Sequence, residues 1–125
     1  MSSPTRKETI TRVAEATYVH RRAWNGHGEF AFVRLQLMPV SRDAGEQFSN
    51  QAPMVPPQFV VAIARRIDEV ARLGGTFGLP VVDFRAILLD ARHHEVDSNE
   101  RVFAIADEGA FREALSKAAS MVLPS

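Results

Sequence analysis

Two histidines stand side by side in the polar run Arg92-His93-His94-Glu95-Val96-Asp97, and His27 sits between two glycines in Asn25-Gly26-His27-Gly28. Imidazoles beside carboxylates can hold a metal ion or move protons near neutral pH. The spacing favours neither: neighbouring residues of an extended chain point to opposite faces, and no HExxH helix sets two imidazoles one turn apart. Asp83, Asp90, His94 and Asp97 are available for acid–base work, yet no serine lies in a nucleophile elbow and no spacing forces two carboxylates together. No catalytic residue and no metal ligand is therefore assigned. The run Gly74-Gly75-Thr76-Phe77-Gly78 invites phosphate binding, but it follows a helical pattern, precedes a strand, and no Lys-Ser or Lys-Thr comes after it. It reads as a helix cap and turn. Trp24, the single tryptophan, lies in a glycine-flanked loop. It suits a stacking platform for RNA or a protein contact, and equally a ring folded back on its own hairpin.

These residues must be carried by one domain spanning 1–125, since 125 residues suffice for one hydrophobic core without metal or disulfide support. With 46% hydrophobic and 24% charged residues the chain is globular in composition. Fifteen basic residues balance fifteen acidic ones, so any contact with nucleic acid must come from a local patch rather than a global field. The absence of cysteine removes disulfide, zinc-thiolate and thiol-nucleophile chemistry and points to the cytoplasm. Residues 1–7 are polar and read as flexible, and no apolar run reaches membrane-spanning length, so no membrane partner is expected.

Residues 9–22 are rich in β-branched types without helical spacing and predict a long first strand. Asn25-Gly26-His27-Gly28 turns the chain into a second strand over 29–38, with Ala31, Val33, Leu35 and Leu37 on one face and Arg34 and Gln36 on the other. A short strand follows over 47–51, with Phe48 pointing inward. Pro56-Pro57 opens a helix whose Phe59, Ile63, Ile67 and Val70 form an apolar stripe, and Gly74-Gly75 ends it with a left-handed cap. A central strand covers 81–89. Asp97 and Glu100 then read as a capping box for a second helix burying Phe103, Ala106, Ala110, Phe111 and Ala114. The order β-β-β-α-β-α is an α+β fold: a two-layer sandwich with two helices on one face of a four-stranded sheet.

If each element crosses the domain once, loops 23–28, 52–56 and 92–97 share one end, and loops 40–46 and 74–80 share the other. Trp24, Asn25, Gly26, His27, Gly28, His93 and His94 then belong to one surface. Arg21, Arg22 and Arg92 flank it as a basic margin.

At these residues the sequence resembles domain IV of translation elongation factor G, a family whose architecture ribosomal protection proteins share. The resemblance runs from about Glu8 to about Ala119. It is carried by Gly78-Leu79-Pro80-Val81-Val82-Asp83, by His94-Glu95-Val96-Asp97-Ser98 with Glu100, and by Ala110-Phe111-Arg112-Glu113-Ala114. Arg6-Lys7-Glu8-Thr9-Ile10 is similar to the family's entry segment, and His20 with Gly26-His27-Gly28-Glu29-Phe30 to its tip hairpin. Val55-Pro56 and Phe59 resemble the start of its first helix. The chain departs from the pattern at Ala23-Trp24-Asn25, where the family's tip is polar and glycine-rich. It departs again at Pro53-Met54 in place of paired glycines, and at His93 and Leu79 in place of tyrosines.

The resemblance implies the β-α sandwich also seen in the C-terminal domain of small-subunit ribosomal protein five. It implies a monomeric arm of a translational GTPase, entering the decoding region of the small ribosomal subunit to promote translocation and contacting tRNA and mRNA. His94 takes the place of the family's tip histidine, with Arg92, His93, Glu95, Trp24 to Gly28, Arg21 and Arg22 around it and Pro53 to Val55 as the neighbouring loop. GTP and magnesium are expected only in a domain that this chain lacks, so the chain alone is no enzyme, and residues 120–125 read as the start of a connection onward. Ribosomal protection, or a protein-interaction module keeping this fold, is the alternative activity. A large exposed apolar patch would favour the module, and a closed pocket lined by carboxylates or histidines would favour a small enzyme.

Overall fold

The computed structural model describes residues 6–124, and residues 1–5 of the stretch read as flexible lie outside it. The elements run β1 (Glu8–Thr9), β2 (Ala14–Trp24), β3 (His27–Pro39), β4 (Gln47–Asn50), α1 (Pro57–Leu73), β5 (Phe84–Arg92), α2 (Glu100–Lys117) and β6 (Met121–Val122). Four strands form one sheet in the order β2-β3-β5-β4, antiparallel except for the parallel β4–β5 pair. This is the expected α+β sandwich. Strand alternation makes it so: Ala31, Val33, Leu35 and Leu37 of β3 are fully buried and meet Phe103, Ala106, Ala110 and Phe111 of α2 in one core.

The predicted first strand is interrupted. Only Glu8–Thr9 and Ala14–Trp24 are extended, because the chain between them closes the end of α2. The backbone N–H groups of Thr11 and Arg12 donate to the Ala118 carbonyl at 3.0 and 3.3 Å. The Arg12 side chain donates to the Lys117 carbonyl at 3.0 Å. Helix C-termini leave carbonyls without intrahelical partners, and that demand draws residues 11–12 out of the ladder. The short β1 pairs with β6, Glu8 opposite Val122 and Thr9 opposite Met121, a second sheet that the sequence did not reveal.

Two caps differ from expectation. The N-cap of α2 is Asn99, whose side-chain oxygen accepts from the Val102 N–H at 2.9 Å. The Asp97 backbone is instead tied to β3, its carbonyl accepting from the Phe30 N–H at 2.9 Å, two residues before the cap. At the end of α1, Gly74 has φ +135 and ψ 140, outside the left-handed helical region but still a conformation suited to glycine.

The glycine-rich loop after α1 surrounds a buried acidic side chain. Glu8 is fully buried, and its Oε2 accepts from the backbone N–H groups of Phe77 at 2.8 Å and Leu79 at 3.2 Å. A Cβ on Gly75 would lie 2.2 Å from Glu8 Oε1, so glycine is required there for the carboxylate to enter. The loop's amides thus serve the fold, as a backbone nest filled by the chain's own carboxylate.

Candidate functional site

The β2–β3 hairpin turns on Asn25 (φ 43) and Gly26 (φ 77). Positive φ at both central residues is the signature of a type I′ turn, the tight connection whose twist matches the flanking strands. Trp24, His27 and Gly28 are therefore strand residues, Trp24 paired with His27 and Ala23 with Gly28. Trp24 is 42% exposed, its ring centroid 6.2 Å from that of His27. The Arg22 guanidinium lies 5.1 Å from the same ring, a cation–π arrangement.

The 93–98 loop is sewn to this hairpin. Besides the Phe30–Asp97 bond, the Ser98 hydroxyl donates to the Phe30 carbonyl at 2.6 Å, and the His94 N–H donates to Ser98 Oγ at 2.8 Å. Gly28 makes the approach possible, because a Cβ there would stand 2.8 Å from Asp97 Oδ2. His94 Nδ1 reaches to 3.5 Å from the same carboxylate while its side chain stays 59% exposed. The His93 ring lies 6.0 Å from Phe59, near the start of α1. Loop 52–56, which leads into that helix, exposes Met54 almost completely.

Trp24, Asn25, Gly26, His27, Gly28, His93 and His94 thus lie at one end of the molecule. Arg21, Arg22, Gly28, His93 and His94 line one depression of about 410 Å³ with Glu29. Glu95 is exposed in the same loop. The basic margin is divided between two faces. Arg22 stands on the helix side above Trp24. Arg21 and Arg92 stand on the helix-free side above Phe30 and Phe32, at 5.4 and 4.7 Å from the ring centroids. Arg92 is further paired with Asp90 at 3.3 Å.

Beneath the tip lies a polar cluster that the sequence reading did not assemble. Glu29 is only 8% exposed. One of its oxygens is 2.9 Å from His20 Nε2, and the other is ion-paired with Arg101 at the start of α2. Burial first, then the charges of Arg22 and Arg101, hold the His20 pKa below its ordinary value. Near neutral pH His20 is therefore the neutral donor to Glu29. A signal was present, because Glu29 shares its strand parity with Ala31, Val33, Leu35 and Leu37, and a carboxylate on that face demands partners. Among the described residues no cluster of three His, Cys, Asp or Glu is spaced to hold a metal. The tip presents a half-exposed indole, an exposed imidazole and arginines of fixed register.

Comparison with known proteins agrees with this geometry. A family model described as elongation factor G, domain IV, matches residues 5–119. Elongation factor G of Anaplasma phagocytophilum is 37% identical over 119 residues, which cover 94% of this chain and 17% of that protein. The same-named protein of Ehrlichia chaffeensis is 34% identical over equal coverage. A crystal structure of a protein from Thermus thermophilus superposes with a TM-score of 0.88 at 31% identity, over 97% of this chain and 18% of that one. The chain thus spans about one sixth of the relatives it matches, and it belongs to the family of elongation factor G domain IV.

Proposed function

We propose that this chain is the ribosome-contacting arm of a translational GTPase, whose tip enters the decoding region of the small subunit and touches tRNA and mRNA during translocation. The observation that carries the reading is the joining of the β2–β3 hairpin to the 93–98 loop through Gly28, Phe30, Asp97 and Ser98. This holds Trp24 and His94 together at the end remote from Glu8 and the 74–80 loop. A protruding end with an indole, an imidazole and flanking arginines suits RNA, which is recognised by stacking and by phosphate contacts. On this reading the chain works as a monomer in the cytoplasm and hydrolyses nothing itself. On the same reading GTP and magnesium bind in another domain of a longer factor, which is supported by Glu8 occupying the glycine-rich loop here. No helix among the described residues is long and apolar enough to cross a membrane.

Ribosomal protection is the second reading, favoured by the replacement of a polar tip by Ala23-Trp24-Asn25, a bulkier end suited to displacing a ligand. The experiment places this domain in an intact elongation factor G and compares wild type with His94→Ala by rapid kinetics. His94→Ala is expected to slow translocation while ribosome-stimulated GTP hydrolysis stays near wild type. Arg72→Ala, at the far end of α1, serves as the control. Equal translocation rates for wild type and His94→Ala would refute the role of that residue, and release of ribosome-bound tetracycline without translocation would favour ribosomal protection.

A further inference from the structure

Among the described residues, one face of the four-stranded sheet carries both helices and the other carries none. Pairing fixes which side chains share the bare face: Arg21 lies opposite Phe30, Val19 opposite Phe32, and Phe32 opposite Arg92 on the other neighbouring strand. Arg92 reaches this face because of a register shift between Arg34 and Leu35, which are paired with Asp90 and Leu88. The extra residue Leu89 reverses strand parity, so Leu88 and Ala91 both turn into the core and Arg92 turns outward.

Phe30 and Phe32 are half-buried, at alternate positions of a central strand, each beneath a guanidinium. Phe30-Ala31-Phe32-Val33 matches the four central positions, aromatic, small, aromatic and valine, of the sheet-borne motif on which RNA-binding sheets stack bases, while Gly28-Glu29 replaces its leading basic-glycine pair and Leu35 its final aromatic. The setting matches too, since such sheets have four strands and present two or three aromatic platforms on the open face. Charge selects the occupant. The charged residues of β2 to β5 on this face are Arg21, Arg34, Arg85 and Arg92 against Glu15 and Asp90, an excess of cations in a chain of zero formal net charge.

We propose that this helix-free face is a binding site for single-stranded nucleic acid. Successive bases stack on Phe30 and Phe32 or on the guanidiniums above them, and Arg21 and Arg92 meet the adjoining phosphates. A protein partner would be offered a continuous apolar patch, whereas here the arginines cover the rings. The site shares Arg21 and Arg92 with the margin of the tip but places the bases on the sheet face, away from the Asn25-Gly26 turn, and does not rest on the function proposed above.

The test is fluorescence anisotropy of this chain with a labelled oligouridylate of about eight nucleotides, within the usual span of single-strand sites, against a duplex of equal length. Saturable, salt-sensitive binding that prefers the single strand is expected. Phe32→Ala should weaken it roughly tenfold, within the ~5–150-fold that loss of one stacked base implies. Phe32→Tyr should retain binding. Phe32→Leu, if it melts like wild type, should lose it as alanine does, which separates stacking from fold. Arg72→Ala should bind like wild type. Binding undiminished in both Phe30→Ala and Phe32→Ala would overturn the proposal, as would loss only on substitution of Trp24 or His94, which would assign the oligonucleotide to the tip. Absence of saturable binding would overturn it too. Self-association in sedimentation that disappears in Phe32→Ala would make the face a protein interface.

Discussion

Replacing Glu8 by alanine should destabilise the fold without touching the tip. The carboxylate is fully buried, and its Oε2 accepts two backbone N–H groups, those of Phe77 and Leu79. Alanine leaves both donors without their acceptor. Each orphaned donor costs about 1–3 kcal/mol, so the loss should be about 2–5 kcal/mol, eased by water entering the vacated space and by the end of a buried carboxylate's own desolvation penalty. For a chain of this size that is a fall in Tm of roughly 10 °C or more. Glu8→Gln keeps an amide oxygen where Oε2 stood but puts an NH2 where Oε1 has no hydrogen-bond partner among the described residues, so a buried donor goes unpaired at a cost of about 1–3 kcal/mol. Urea titrations followed by far-ultraviolet circular dichroism give the free energies, and hydrogen exchange at the Phe77 and Leu79 amides locates the effect. Stability of Glu8→Ala within about 0.5 kcal/mol of wild type, the range of neutral surface changes, would refute the reading of this loop as a nest for Glu8.

Three further outcomes are expected. Gly26→Ala should cost about 1–2 kcal/mol in a thermal melt through backbone strain alone, because φ is 77 there and a Cβ would meet nothing within 4 Å. Asp107 is fully buried on α2 with neither carboxylate oxygen hydrogen-bonded among the described residues. Burial chiefly, opposed by Arg66 and reinforced by Glu108, raises its pKa well above 3.8. Folding therefore favours the protonated acid, and stability falls as pH rises beyond 3.8. Asp107→Asn should be the more stable protein near neutrality, with a margin in urea titrations that grows from pH 4 upward. His20 acts in the opposite sense: its folded pKa lies below 6.5, so its contribution is present above that pH and lost as pH falls below it. His20→Gln should flatten the acid limb of the stability profile below pH 6.5.

The tip shows how far local patterns reach. Asn25-Gly26 between strand-forming runs identified the hairpin, and counting crossings placed loops 23–28, 52–56 and 92–97 at one end, because both depend on neighbours in sequence. The division of the basic margin was not legible. Side-chain direction follows parity along a strand, and one bulged residue, Leu89, inverts it for everything after. Arg92 is consequently on the opposite face from Arg22, although both flank the same tip.

The same division holds for the whole chain. Its sequence alone determined the order of the major elements, since the apolar stripe of α1, the alternation of β3 and the glycine breaks are short-range features that each segment carries with it. Only the tertiary structure decided the rest. It moved the cap of α2 from Asp97 to Asn99 because the Phe30 N–H ties the Asp97 backbone to β3, two residues before the position that becomes the cap, and it broke the first strand because the end of α2 needed donors from Thr11 and Arg12. It buried Glu8 in the 74–80 loop, 69 residues from Phe77, and Glu29 against Arg101, 72 residues away. Most buried polar groups are satisfied by whichever partners the packed chain delivers, Asp107 being an exception, and that delivery depends on contacts between distant segments that no local pattern encodes.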